Sequence, residues 1–303
     1  MKLWYSLGAV LLCFTLGTAV SNATPHGAKP MKHLLVVTVT KGFRHDSIPV
    51  AEQVIQMLGE KTGEWDTDFV RTDEEMQEKM TPEALKKYDA VVFANTTGVL
   101  PLPDPQGFLD YIKDGHGFVG MHSASDTFHT WPGQQDGVSE YIQMLGGEFL
   151  THHAQSVADI HIEDTHFPGI RELIAEGEKA GGGPNTPVEQ LQQGHSVVYD
   201  HTWLVFDEMY ILKNNDRTKV HVILSMNHYP NDGSPDAGKP GDHLIAWCKS
   251  YGKGRVFYTV LGHRQEMWHD PLYQQLILGG IRFALGLAHA NTKPSPPLST
   301  AGK

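Results

Sequence analysis

The chain has 303 residues, with 24 basic and 35 acidic side chains and a formal net charge of −11. Its acids are spread along the whole length and no basic stripe interrupts them, which excludes a grip on a phosphate backbone and hence a nucleic-acid partner. Two cysteines in so long a chain exclude a disulfide-stapled scaffold, so an ordinary apolar core has to hold the fold.

The first 23 residues (MKLWYSLGAVLLCFTLGTAVSNA) carry Lys2, then an apolar stretch, then the small-residue end Ser21-Asn22-Ala23. That is the layout of a secretory signal peptide. The apolar run is shorter than the roughly 20 residues a membrane span needs. An uncleaved anchor and a lipoprotein anchor at Cys13 are the alternatives; bulky Leu12 before Cys13 argues against the second. Cleavage removes Lys2 and no acid, leaving 23 basic against 35 acidic residues, a net −12, and Cys248 as the single cysteine. The expectation is a periplasmic or secreted protein with no membrane span left after processing. Residues 24–32 read as a linker, 33–288 as one α/β domain, and 289–303 as a disordered tail without apolar periodicity.

Within the domain, LLVVTVT (34–40) is a continuous apolar, β-branched run, as expected of a strand buried on both faces. Ser47-Ile48-Pro49 opens a helix to about Lys61, with Asp46 or Ser47 as its cap. A strand at 65–71 and a short helix beginning at Thr81-Pro82-Glu83 follow, then a strand at 89–96, a helix at 105–114 and a strand at 117–122. This β-α-β-α-β-α-β order predicts a flavodoxin-like, doubly wound, mostly parallel sheet. After His122 the alternation stops. One helix is expected in VSEYIQMLG, and residues 177–203, rich in Gly, Pro and Gln, read as an irregular surface insertion. Strands at 157–164, 207–213, 220–226, 244–249 and 255–261 are close enough together to predict mixed or antiparallel pairing in the second half. The last helix runs from Asp270-Pro271 to about Leu287.

Three of these strand runs end in histidine: His45 after the first, His122 after the fourth and His263 after the last. In an open parallel sheet, ligands bind outside the carboxyl ends of the strands. Neighbouring parallel strands therefore bring these imidazoles, suited both to proton transfer and to metal binding, to one rim. In flavodoxin-like amidotransferases the elbow after a buried strand carries a nucleophilic cysteine. Here that position is His122, in Gly120-Met121-His122-Ser123-Ala124, which excludes thioester chemistry by residue type. Cys248 lies mid-strand in LIAWCKS and reads as a core residue.

His45, His122, Glu208 and His263 are the candidate catalytic groups, and Arg44, Asp46, Asp126 and Trp131 the candidate substrate contacts. A divalent metal, zinc or manganese, on His122, His152, His166 and His263 is one expected use of the histidines. Metal-free acid–base work is the other, since no short ligand motif such as His-Glu-x-x-His occurs.

The succession GFRHDS, GFVGMHSASDTF with W-P after it, LGGEF followed by HH, DTHFPG, DEMY, AWCKSYGKGRVFYTVLGH and a closing W-x-D-P resembles the ThuA-like, or trehalose-utilisation, family over roughly residues 33–288. The resemblance implies a class I glutamine amidotransferase-like fold lacking the nucleophilic cysteine. It also implies a role in the breakdown of glycosides or 3-keto sugars. By motif position, His45, His122, His152, His166, Glu208 and His263 match the family's characteristic polar positions. Two departures are expected to reshape the pocket: the Gly/Pro/Gln-rich insertion between Pro168 and Asp207, and His153 where proline is usual.

The function expected is a sugar enzyme that removes a proton next to a carbonyl, as an isomerase, epimerase or lyase. Its small-molecule partner is then a sugar, and self-association into a homo-oligomer is left open. A non-catalytic carbohydrate-binding protein is the alternative. A conventional glycosidase needs two carboxylates flanking the bond, whereas Asp207 and Glu208 are adjacent and would point to opposite faces of one strand.

Overall fold

A computed structural model describes residue 1, residues 30–133 and residues 137–298. The chain divides into two units, Met1–Pro30 and Met31–Lys303. The first, with the expected signal peptide and nearly all of the linker, lies outside the described residues except at its ends. The second carries the fold. No described helix is long and apolar enough to cross a membrane.

The first half follows the predicted alternation: β1 (Lys32–Val37), α1 (Ile48–Thr62), β2 (Trp65–Val70), α2 (Asp73–Lys79), α3 (Pro82–Leu85), β3 (Ala90–Ala94), α4 (Pro105–Lys113) and β4 (Gly117–Met121). A 3-10 turn over His122–Asp126 leads to α5 (Glu140–Leu145), β5 (Glu148–His152), β6 (Ser156–Ile162), α6 (Ile170–Ala180) and α7 (Val188–Gln192). Then come β7 (Val197–Tyr199), β8 (Thr202–Asp207), β9 (Tyr210–Lys213), β10 (His221–His228), β11 (Pro240–Tyr251), β12 (Gly254–Thr259), α8 (Gln265–His269) and α9 (Pro271–Ala284). Thr81, Asp104 and Asp270 each cap a helix with a side-chain oxygen, and proline follows each at the first helical position. Ser47 does not cap α1. Its hydroxyl instead donates to the Gly262 carbonyl at 3.3 Å, tying the loop after β1 to the loop after β12.

Ten strands form one sheet in the order β2-β1-β3-β4-β12-β11-β10-β6-β8-β7. From β2 to β12 every pairing is parallel, in the flavodoxin arrangement with β12 as the fifth strand. Beyond β12 every pairing is antiparallel, as the crowding of strands in the second half predicts. Strand alternation covers the parallel half on both faces. Phe93 and Phe118 pack against Phe108 of α4 and Tyr141 of α5. On the opposite face Phe257 stacks on Phe167 and meets α9 at Gly280, where a Cβ would come within 2.3 Å of the Phe257 ring.

The structure adds α2, β5, α6 and α8 to the elements the sequence reading expected, and it changes three of the expected features. The 207–213 run is not one strand: β8 ends at Asp207 and β9 starts at Tyr210, pairing with β5 in a separate two-stranded sheet. Residues 177–203 are not an irregular insertion, because they hold the end of α6, then α7, β7 and the start of β8. Leu191, Val197 and Leu204 bury one another there in a small second core that the Gly/Pro/Gln-rich composition conceals.

The described part of the tail, expected to be disordered, carries no helix or strand, yet as far as Ser295 it is bonded to the sheet. Ser295 N donates to Val220 O, its hydroxyl accepts from Val222 N, and the buried Cys248 thiol donates to Asn291 O. Residues 299–303 lie outside the described residues.

His221 clamps this tail. Its Nδ1 is 3.0 Å from Lys293 O and its Nε2 2.8 Å from Asp164 Oδ2. Both partners are acceptors, so only the imidazolium satisfies both. The hydrogen bond to Asp164 raises the ring above its ordinary 6.5 against the opposing effect of burial. A raised folded-state pKa gives stability that is present below 6.5 and lost as pH rises through the raised value. Wild type should therefore melt above His221→Gln at mildly acidic pH, the gap closing in alkali. A melting-temperature gap constant from about pH 5 to about pH 9 would remove the clamp from consideration.

Candidate functional site

The carboxyl ends of β1, β4 and β12 deliver the three histidines that the sequence singles out. His45 stands in the loop between β1 and α1, His122 directly follows β4, and His263 lies four residues past β12. His122 occupies a tight elbow with φ +47, a left-handed conformation uncommon for a residue with a side chain and enriched at functional sites. Tyr258 holds this elbow by donating to His122 O at 2.6 Å, and Gly120 leaves room for it, since a Cβ there would meet Leu145 and Tyr258 under 3.0 Å away.

The rings converge edge to face. His45 Nε2 is 3.2 Å and His263 Nδ1 3.3 Å from His122 Nε2. Glu208 comes from the seam between β8 and β9, and its Oε2 lies 3.3 Å from His263 Nδ1 and 3.6 Å from His122 Nε2. All four residues offer ligand atoms within 4.8 Å of one another. Tyr210, the first residue of β9, places its hydroxyl 2.8 Å from His122 Nε2.

Burial sets the charge of these groups. Desolvation, reinforced by the neighbouring imidazoles, drives His122 well below 6.5 and lowers His45 to about 4, so both rings are neutral at physiological pH. His263 is also desolvated, but the hydrogen bond and charge of Glu208 outweigh this and raise it. Behind Glu208, Asp207 is fully buried, and desolvation pushes its carboxyl up to about 6. Gly262 N donates to one Asp207 oxygen at 2.8 Å and Arg264 N to the other at 3.3 Å, so this side chain fixes both flanks of His263. Asp207 and Glu208 thus have separate fates: one pins a loop, the other faces the ligand space.

A cavity of about 400 Å3 opens over the cluster. His45, His263, Glu208 and Ser123 line its floor; Phe43, Phe149 and Tyr210 give it apolar walls; Asp126, Thr97 and His152 add polar ones. Of the expected substrate contacts, Asp126 alone reaches this space. Trp131 is 5% exposed and packs on Phe128 and Tyr141, so it belongs to the core. Arg44 turns back to donate to Thr38 O, and Arg44 and Asp46 are exposed outside the cavity lining.

The histidine set expected for a metal is redrawn in the same way. His166 is exposed and pairs only with its neighbours Asp164 and Thr165, and His152 touches Glu208 Oε1 at 3.1 Å from the rim. His45 takes the place in the cluster that the sequence reading gave to them. His153 lies outside the cavity, its Nδ1 bonded to Asp232 and Ser234.

The chain matches the model of the family described as "ThuA: Trehalose utilisation" over residues 33–284. It belongs to the ThuA family. The family is one of carbohydrate utilisation. Among solved structures, this ThuA-family chain has the fold of a ThuA-like protein from Parabacteroides merdae ATCC 43184, with a TM-score of 0.58 and 18% identity over 90% of this chain and 94% of that one. A ThuA-like protein from Bacteroides uniformis ATCC 8492 gives a TM-score of 0.56 and 20% identity over 86% and 94%. No curated protein matches the chain.

Sequence reasoning passed over two parts of the ThuA-family site. Tyr210 lies inside the quoted DEMY motif, but its role depends on β9 leaving the main sheet. His129 directly follows the quoted GFVGMHSASDTF stretch and bridges Asp126 Oδ1 and Glu148 Oε1, each at 2.7 Å. Both ring nitrogens face carboxylates. The bond to Asp126 raises the ring's pKa, against desolvation and with help from Glu148. Only residues repeating across a fold mark such a bridge in sequence, and here none do.

Proposed function

We propose that this ThuA-family protein is an enzyme of carbohydrate catabolism, acting outside the cytoplasm on a glycoside-derived keto sugar. It removes a proton from the carbon beside the sugar's carbonyl group. The observation that carries this reading is the convergence of three imidazoles and one carboxylate, with His122 buried beneath and His45, His263 and Glu208 lining a cavity with aromatic walls. A carbonyl makes the neighbouring C–H acidic, and the resulting enolate needs a positioned donor or cation at its oxygen. The His/Glu floor supplies that stabilisation, while carboxylate and imidazole groups on the floor and walls accept and return the proton. Phe43, Phe149 and Tyr210 offer faces on which the apolar side of a sugar ring can rest.

Isomerisation, epimerisation and β-elimination share this first step, so exchange of the proton tests all of them together. Incubation with a 3-keto glycoside in D2O, followed by NMR, should show deuterium entering the position next to the carbonyl, faster than in buffer alone. The glycosidase alternative gains Asp126 beside Glu208 as a second carboxylate in the cavity. It predicts hydrolysis without exchange, and a binding protein predicts neither. Either outcome would reject the proposal.

A further inference from the structure

We infer that His45, His122, His263 and Glu208 bind one divalent transition-metal ion, of the zinc type, at the floor of the cavity. As a contribution to catalysis this rests on the function proposed above; as a binding site it rests on the arrangement of the ligand atoms alone.

The tautomer of His122 comes first. Its Nδ1 lies 2.7 Å from Val260 O, and a carbonyl only accepts, so Nδ1 carries the ring's proton. Nε2 therefore presents a bare lone pair to the cluster. A ring N–H donated to a backbone carbonyl is the outer contact that metal-bound histidines habitually make.

Hydrogen bonding alone leaves this lone pair overcrowded. His45 Nε2, His263 Nδ1 and the Tyr210 hydroxyl all stand within 3.3 Å of it, yet one in-plane lone pair takes a single well-aligned donor. The rings do not stack to share the space. Their planes cross at 83°, 90° and 73°, with centroids 4.7, 5.1 and 5.3 Å apart, so that nitrogens and not ring faces meet.

The spacing fits an ion held between them. Tetrahedral zinc with bonds of about 2.0–2.1 Å sets its ligand atoms roughly 3.3–3.4 Å apart. Four of the six separations are 3.2 Å for His122 to His45, 3.3 Å for His122 to His263, 3.3 Å for His263 to Glu208 and 3.6 Å for His122 to Glu208, and the whole set lies within 4.8 Å. Three imidazoles with one carboxylate are also a donor set suited to zinc. Four protein ligands close a tetrahedron, so such an ion would polarise a carbonyl oxygen as a Lewis acid only by taking it as a fifth ligand or in exchange for Glu208. Proton transfer then falls to Asp126 and His152, which line the cavity with Tyr210 outside the ligand set.

The full chain, purified without chelator, should contain about one transition-metal ion per molecule by elemental analysis. Protein stripped with a chelator and titrated with Co(II) should develop the intense visible bands of a tetrahedral complex, saturating near one equivalent. His122→Ala and His263→Ala should lose both signals, and His166→Ala should keep them. Should the alanine variants fail to fold, the isosteric Glu208→Gln, checked by its melting curve, should bind Co(II) more weakly and with a changed spectrum. The inference is overturned if folded wild type gives no Co(II) bands at equimolar metal, or if His122→Ala binds as wild type does. Metal binding without deuterium exchange would leave this site standing and reject the proposed reaction. Exchange at full rate in stripped protein would reject the catalytic part of the inference and leave the proposed reaction intact.

Discussion

His122→Ala is expected to slow deuterium exchange into a keto-sugar substrate by more than about a hundredfold, the lower end for loss of a positioned acid–base group. His263→Ala should do the same. The first imidazole is fully buried and neutral, with its Nε2 at the meeting point of His45, His263, Glu208 and Tyr210. No neighbouring group can replace it, because none of the others approaches the centre from the β4 elbow. His122→Asn makes a useful companion: asparagine tolerates the left-handed backbone at φ +47, so the elbow survives while the lone pair moves. Both variants should lose activity although their melting curves remain cooperative. Exchange rates within about threefold of wild type in either folded variant would remove His122 from the mechanism.

Asp207→Ala should produce the largest combined loss of stability and activity. The buried carboxylate accepts from Gly262 N and Arg264 N on either side of His263. Truncation strands these amides, each at about 1–3 kcal/mol. Because burial already opposes ionisation of this carboxyl, removing the charge offsets part of that cost. We expect a net loss of about 2–4 kcal/mol, a large share of the 5–15 kcal/mol typical of a folded domain. Asp207→Asn keeps one acceptor oxygen and should lose about half as much. Activity should fall in both, because the loop that aims His263 is released. Urea denaturation with a parallel exchange assay measures both effects. If Asp207→Ala keeps wild-type stability, the pin does not exist; if it loses stability but not activity, the pin does not serve the site.

Much of the frame was legible before any coordinates. The runs that became β1, β3, β4 and β12 are continuously apolar because helices cover the parallel sheet on both faces, and local composition reports that directly. Once they are parallel neighbours, His45, His122 and His263 have to meet, since all three follow carboxyl ends on one edge. The exclusion of thiol chemistry likewise followed from the residue type at the elbow.

Other parts of the site were not legible. Glu208 reaches the cluster because the chain changes sheets between Asp207 and Tyr210, and the run DEMYILK carries no mark of that seam. Trp131 sits two residues beyond His129 in the same loop, yet it goes into the core while His129 bridges two carboxylates near the cavity. The tail looked featureless because its order comes from hydrogen bonds to distant residues of the fold, which composition does not encode.

By itself, then, the sequence determined the parallel half of the sheet, the elbow and the edge at which chemistry-bearing side chains gather. Hydrophobic period and residue type are local properties, and they act through neighbours along the chain. The tertiary structure alone decided that His166 stays outside the cluster, that Asp207 and Glu208 divide into pin and ligand, and that Tyr210 and Phe149 wall the cavity. Those outcomes depend on the pairing of distant segments, β5 with β9 and β8 with β6, where the free energy of packing selects one partner among several that the local pattern permits.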